Sequence, residues 1–267
     1  MKKPLWEIKQ AAEGVLQLYI YGDVEGEEFD WENWRYVQSD NSAEHFREEL
    51  AKHPDVSRIE IFINSYGGSV FEGTAIYNQL KRHPARKVVH VDGFACSIAS
   101  VIAMAGDEVI MPRNTLMMIH NVWMCACGNA AELRKAADDL DVINAADRQA
   151  YLLKAGDKLT EERLSEMMDA ETWLTAEQCV ELGLADRLAD ADADMSGAST
   201  ILQKMNAGME QHLRYQKSLA AQLRDLTAEP SVPALAKNPQ GGGSPEKNNK
   251  VLGLFFENRK EKKNEKQ

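Results

Sequence analysis

The sequence predicts an α/β fold with a mainly parallel sheet, and three features of residues 1–190 indicate it. Short runs of β-branched and aromatic residues alternate with longer amphipathic stretches, as expected where strands and helices follow one another. Capping residues stand at the starts of several amphipathic stretches. Strands separated by helices are joined by crossovers, which place neighbouring strands parallel to each other.

Two strands and two helices are predicted in the first part of this domain. The residue types at 15–21 indicate the first strand. Ser42 is a suitable N-cap for a helix that runs to residue 53, because its hydroxyl can accept a hydrogen bond from the first helical turn. The apolar run at 59–63 indicates the second strand, and an amphipathic helix follows at 70–82.

The alternation of strands and helices continues in the second part of the domain. A strand is predicted at 87–91, followed by a helix of small residues at 97–105. Two short strands fit residues 108–111 and 116–119, and a long helix is predicted at 129–153.

The folded domain is expected to end near residue 190. Before that point, Thr175 and Gln178 form a capping box, and Gly183 is a natural end for the short helix that they begin. Residues 189–194 then alternate alanine and aspartate, which is a low-complexity pattern. The expected organisation has three parts: a folded domain at 1–190, an amphipathic helical extension at 191–228 and a flexible, weakly basic tail at 229–267.

The charge and the apolar pattern exclude several partners. The chain carries 31 basic and 42 acidic side chains, a net charge of −11, of which residues 1–190 hold −14 and residues 191–267 hold +3. A domain this acidic is not suited to binding duplex nucleic acid. The longest stretch free of both charge and strong polarity, at 93–106, spans 14 residues. A membrane helix needs roughly 20, so we expect no membrane span.

The four cysteines point to a reducing compartment rather than to a disulfide framework. Cys125 and Cys127 are separated by one residue, and no second pair follows at the spacing of a zinc site. The basic start of the chain lacks the apolar core of a secretory signal. We therefore expect no metal, no other cofactor and no export signal.

Side chains suited to nucleophilic catalysis lie near the carboxyl ends of the predicted strands. Gly68 follows one strand, where backbone N–H groups could serve an oxyanion. Ser97 begins a helix after the next strand, and His120 is the best base for its hydroxyl. Asp169 and Glu171 are the carboxylates available to orient that base. By pattern alone, a serine at a helix start is more often a cap, and such a histidine is more often structural.

The chain resembles the proteolytic subunit of the Clp protease (ClpP family) in four segments whose order and spacing fit across residues 22–190. They are residues 64–70 (NSYGGSV), 93–99 (GFACSIA), 118–120 (MIH) and 173–177 (WLTAE). The resemblance implies a ClpP/crotonase-like stack of ββα units, and rings whose active sites face an inner chamber. Residues 93–106, 117–123 and 171–176 look closest to the phage branch of the family, the head maturation (prohead) proteases.

The resemblance also assigns roles to individual residues. Ser97 matches the nucleophile and His120 the general base, while Gly68 and Ile98 match the residues whose backbone N–H groups form the oxyanion hole. The family usually has an aspartate at the position that matches Glu171, so the third member of the triad departs from the pattern. Glu171 is favoured because its register needs no gap, and Asp169 remains the alternative acid.

The expected function is that of an ATP-independent serine endopeptidase which cleaves phage capsid, scaffold or portal proteins during prohead maturation. Such a protein would form a homo-oligomeric ring, able to stack on another, in the host cell cytoplasm, without an obligatory ATPase. The alternatives are a housekeeping Clp subunit that degrades unfolded proteins with an ATPase partner, a catalytically inactive assembly or scaffold protein, and a crotonase-type acyl-CoA enzyme.

Overall fold

A mixed α/β arrangement with a mostly parallel sheet organises residues 6–30 and 34–193, the part of the chain that the computed structural model describes. Its strands are β1 (Trp6–Ala12), β2 (Val15–Val24), β3 (Glu27–Asp30), β4 (Arg35–Gln38), β5 (Arg58–Gly68), β6 (Arg86–Cys96), β7 (Glu108–Met111), β8 (Leu116–Ile119), β9 (Thr172–Thr175) and β10 (Arg187–Leu188). Its α-helices are α1 (Ala43–Ala51), α2 (Val70–Arg82), α3 (Ile98–Ala103), α4 (Ala130–Ala155), α5 (Glu161–Asp169) and α6 (Ala176–Glu181), with a 3₁₀ turn at Gly156–Lys158.

The main sheet confirms the predicted fold class. Its strand order is β1-β2-β5-β6-β7-β10, and β8 pairs with both β6 and β9. The pairs β1–β2 and β8–β9 are antiparallel, whereas the other pairs of this sheet are parallel. Strands β3 and β4 form a separate two-stranded sheet. The parallel ladder brings the carboxyl ends of β5, β6 and β8 to one edge, where ligands bind in α/β sheets.

One face of the sheet is fully covered by helices. In β5, Ile59, Ile61 and Ile63 have no exposed surface, and they belong to the same buried core as Phe46 of α1 and Ile76 of α2. Burying side chains of this size stabilises the fold by about 1.5–3 kcal/mol each.

The opposite face of the sheet is only partly covered and carries aromatic residues. Tyr19 stacks on Phe62, with ring centroids 4.7 Å apart, and Phe62 stacks on His90 at 4.9 Å. The parallel register places these three residues side by side on β2, β5 and β6.

The strands that lead to this edge are longer than the sequence predicts. Strand β5 continues to Gly68 and β6 to Cys96, whereas the sequence predicts strands that end at residues 63 and 91. The glycine-bearing segments 64–68 and 93–96 therefore belong to strands and not to turns. The ladder between them is irregular after Ile63 and resumes where Ser65 pairs with Ala95. Backbone pairing with the neighbouring strands therefore overrides the local turn signal of the glycines.

Several short elements are not anticipated by the sequence pattern. They are β1, the β3–β4 pair, α5, β9 and β10. By contrast, Ser42 and Thr175 cap α1 and α6, and Thr175 and Gln178 form the predicted capping box. None of the described helices is both long and apolar enough to cross a bilayer. The predicted extension and tail lie outside the described residues from residue 194 onward.

Candidate active site

Ser97 occupies the sharp connection between β6 and α3. Its backbone angles are φ 54° and ψ −133°, in a region that residues other than glycine rarely adopt, and such a conformation costs about 1–3 kcal/mol. Its side chain makes no capping hydrogen bond to α3. In each of the other described α-helices, the N-cap side chain accepts a hydrogen bond from a backbone N–H of the first turn. These N-cap residues are Ser42, Ser69, Asn129, Thr160 and Thr175. The Ser97 hydroxyl therefore has no capping role.

The Ser97 hydroxyl faces an imidazole. His120 Nε2 lies 2.8 Å from Ser97 Oγ, which is hydrogen-bonding distance. Strand pairing sets this contact, because β8 runs parallel to β6 with Met118 opposite Cys96. The backbone N–H of Ser97 also donates to the carbonyl of Met118 at 2.8 Å. Two residues after Met118, the chain leaves the strand at His120, at the same sheet edge as Ser97.

The antiparallel pairing of β8 with β9 brings a carboxylate into the vicinity of His120. Ile119 at the end of β8 pairs with Thr172 at the start of β9. Because the strands are antiparallel, the residues just beyond this pair are His120 and Glu171. Glu171 has a positive φ of 49° and its charge acts on His120, although no direct hydrogen bond joins the two side chains. Asp169 instead accepts a hydrogen bond of 2.6 Å from the Asn121 side chain. The structure thus brings Glu171, rather than Asp169, next to the histidine.

Burial is the main influence on the protonation of His120. It lowers the pKa of the imidazole below its ordinary value, because the charged form loses hydration. The negative charge of Glu171 and a hydrogen bond to the Asn121 backbone act in the opposite direction without cancelling this effect. The ring is therefore neutral near neutral pH and able to accept a proton.

The two residues expected to form an oxyanion hole share a pocket with Ser97. Gly68 and Ile98 line the same pocket as Ser97 and His120. The neighbouring Gly67 shows how closely the backbones approach, because a Cβ there would lie 2.7 Å from Ser97 Cβ and 3.2 Å from the Ile98 nitrogen. Ile98 begins α3, where backbone N–H groups lack partners within the helix. A substrate carbonyl oxygen could accept hydrogen bonds at this place.

The pocket beside Ser97 has a volume of about 360 Å³ and mostly apolar walls from α2, α3, α4 and the segment after β8. Tyr151 also lines this pocket. It is fully buried, and its hydroxyl is 2.7 Å from Ser100 Oγ. Ser100 Oγ in turn donates to the carbonyl of Ser97 at 2.5 Å. Ser100 thus supports the backbone of the Ser97 connection.

Two further residues of this pocket, Asp147 and Tyr151, are not predicted from the sequence. Both lie on α4 at a helical spacing from Leu140 and Ile143, which line the same pocket. An acidic residue on this otherwise apolar stripe is the signal that could have identified Asp147.

The cysteine next to the candidate nucleophile is unsuited to nucleophilic attack. Cys96 adjoins Ser97 but is fully buried, and burial raises the pKa of its thiol to about 12. Cys125 and Cys127 are exposed. Within residues 6–30 and 34–193, no group of three or more histidine, cysteine or acidic side chains is placed to hold a metal ion.

Comparison with known proteins connects this geometry to one family. Residues 39–192, more than half of the chain, match the family described as Clp protease. The chain is 28% identical over 144 residues to the ATP-dependent Clp protease proteolytic subunit 3 of Rhodococcus jostii, covering 53% of this chain and 70% of that protein. It is 30% identical over 145 residues to subunit 3 of Streptomyces coelicolor, covering 53% and 65%. The matches therefore span about two thirds of the length of these curated relatives.

Proposed function

This chain belongs to the Clp protease family, and from that premise we propose that it is a serine endopeptidase with Ser97 as nucleophile and His120 as general base. Family membership implies a peptidase, which hydrolyses peptide bonds. The observation that carries the proposal is the 2.8 Å contact between His120 Nε2 and Ser97 Oγ. A serine that served only as a helix cap would bond the backbone of α3, and Ser97 does not.

The proposed reaction is acyl transfer in two stages. His120 takes the hydroxyl proton while Ser97 Oγ attacks the substrate carbonyl carbon. The N–H groups of Gly68 and Ile98 stabilise the oxyanion, each by about 3 kcal/mol. The carbon–nitrogen bond then breaks and the amine leaves with the proton from His120. Water attacks the acyl-enzyme with the same base, which releases the acid and restores the serine.

The pH profile tests the role of His120. Because burial lowers the pKa of the imidazole from 6.5, the fall of kcat/KM at low pH should have its midpoint below 6.5. Hydrolysis of p-nitrophenyl acetate measures this profile, since its acetyl group is too short to fill the pocket beside Ser97. A midpoint above pH 6.5 would contradict the assignment.

The choice of orienting acid can be tested with two neutral substitutions. Glu171→Gln should lower kcat by about a hundredfold, because the negative charge that acts on the imidazolium is lost. The residual activity should also persist to lower pH, since the Glu171 charge raises the pKa of His120. Asp169→Asn is the matched control and should leave the pH profile unchanged. The reverse pattern would identify Asp169 as the third member.

The finer proposal is that the substrates are phage capsid, scaffold or portal proteins, cleaved during prohead maturation without an obligatory ATPase. The segments that look phage-like support it, and so does the chain beyond residue 192, which the family match does not include. A homo-oligomeric ring in the host cytoplasm is part of this proposal.

A housekeeping role with an ATPase partner is the second candidate. It is favoured by the names of the relatives, which are ATP-dependent Clp protease proteolytic subunits. Members of the family form oligomeric rings, generally with ATPase partners. Co-purification of this chain with an ATPase ring, and degradation of an unfolded protein only in its presence, would support the housekeeping role.

Co-expression with a phage capsid protein, taken from the neighbouring reading frames if they encode one, distinguishes the candidates. The phage proposal predicts a trimmed capsid product with the wild-type chain and an untrimmed one with Ser97→Ala. Equal trimming in both would contradict the protease assignment and support an inactive assembly protein. Absence of trimming by a chain whose Ser97 reacts with a fluorophosphonate would contradict the capsid substrate alone.

A further inference from the structure

A buried carboxylate lies in the wall of the pocket beside Ser97. Asp147 is on α4, is only 6% exposed and lines the same pocket as Ser97 and His120. The residues before and after it on this helix face are apolar or aromatic. Acidic side chains are rarely buried without a partner, because the charge loses its hydration. The position of Asp147 therefore calls for an explanation that the proposed acyl transfer does not supply.

Asp147 is incompletely paired within the described residues. Thr74 Oγ1 of α2 donates to Asp147 Oδ1 at 3.2 Å, and no lysine, arginine or histidine among these residues forms an ion pair with it. The adjacent Arg148 instead approaches Glu161, with Nε 3.8 Å from the carboxylate. Burial raises the pKa of Asp147 to about 6, so the group is still largely ionised at neutral pH. The pocket thus presents a negative charge without a cationic partner.

The helix that carries Asp147 contacts the segment that follows the nucleophile. Tyr151 lies one helical turn after Asp147 on α4, and its hydroxyl contacts Ser100. Ser100 in turn bonds the backbone carbonyl of Ser97. The pocket that begins at the Ser97 hydroxyl therefore extends along this face of α4 to Asp147. A long, unbranched substrate side chain is suited to follow it.

We infer that Asp147 makes this pocket selective for a lysine or arginine side chain on the residue whose carbonyl group Ser97 attacks. The inference rests on the proposed function and names the substrate class of that same site. The apolar walls, with Val101 and Ile143 among them, contact the aliphatic stem of such a side chain. The cationic end then pairs with Asp147, where low exposure limits screening by solvent.

Neutral and acidic side chains are less favourable occupants of the pocket than a cationic one, because they leave the Asp147 carboxylate unpaired or repelled. A neutral side chain such as leucine or norleucine fills the same space but keeps the carboxylate buried and unpaired. An acidic side chain places a like charge next to it, which is repulsive. Discrimination therefore comes from both the attraction to a cation and the cost of the wrong partner.

The test compares peptides that differ only in the residue before the scissile bond. Norleucine has the four-carbon stem of lysine without its ammonium group, so the ratio of kcat/KM for lysine over norleucine isolates the cationic end. With the full chain we expect a ratio of about tenfold or more. In Asp147→Asn, which keeps an oxygen for Thr74, the ratio should fall to about one while norleucine cleavage is retained. Asp141→Asn makes the same change at an exposed position of α4 and should keep the wild-type ratio.

The outcomes separate this inference from the function on which it rests. Norleucine cleaved as well as lysine by the wild-type chain would overturn the inference, whether or not the variant folds. If Ser97 still reacts with a fluorophosphonate in that case, the peptidase assignment stands. A chain that neither reacts with the fluorophosphonate nor cleaves any of the peptides overturns both. Loss of the ratio in Asp141→Asn as well would also count against Asp147.

Discussion

Replacing Ser97 by alanine is expected to lower kcat for peptide hydrolysis by about a millionfold while leaving the fold intact. The hydroxyl faces His120 at 2.8 Å and makes no capping bond to α3, so its loss removes the nucleophile and no helical contact. The strained backbone at residue 97 is as demanding for alanine as for serine. Peptide cleavage and the free energy of unfolding in urea measure the two effects separately.

Ser42→Ala is the matched control for this substitution. Ser42 accepts a hydrogen bond from the backbone of His45 at the start of α1, far along the chain from the pocket. Its replacement should lower the free energy of unfolding by about 1 kcal/mol and leave peptide cleavage unchanged. Ser97→Ala should show the opposite pattern. A Ser97→Ala variant that loses stability and keeps cleavage would mean that residue 97 has a structural role only.

Gly68→Ala is expected to destabilise the protein by about 3 kcal/mol or more and to abolish cleavage together with the fold of this edge. A Cβ at residue 68 would lie 2.2 Å from the carbonyl oxygen and 2.8 Å from the nitrogen of Val24. These are backbone atoms of β2, which pairs with β5 along its length, so they cannot move aside without breaking the ladder. Urea unfolding and peptide cleavage measure the loss.

Gly156→Ala provides a control of the same chemical kind. Gly156 also has a positive φ, of 57°, but nothing lies within 4 Å of the Cβ that alanine would add. Its substitution should cost only the conformational penalty, about 1–3 kcal/mol, and should not affect cleavage. Equal losses of stability in the two variants would show that close approach to Val24 is not what requires glycine at residue 68.

The orienting acid shows where prediction from sequence stops. Two carboxylates, Asp169 and Glu171, were available near the end of α5, and the family pattern favoured Glu171 through its register alone. The pairing of Ile119 with Thr172 brings Glu171 beside His120, while Asp169 bonds Asn121. This pairing joins residues more than 50 positions apart in the chain, and no local pattern encodes it. The catalytic roles of these residues stay predictions until the variants are measured.

The amino-acid sequence by itself determined the α/β class, the order of the longer strands and helices, and the caps at Ser42 and Thr175. These features depend on side-chain periodicity and on hydrogen bonds within one or two turns, which adjacent residues specify. Only the tertiary structure decided that Ser97 faces His120 instead of capping α3, and that Asp147 lies in the same pocket. Both depend on strand pairing and helix packing between distant segments, because a side chain's partner is set by the elements that fold against it.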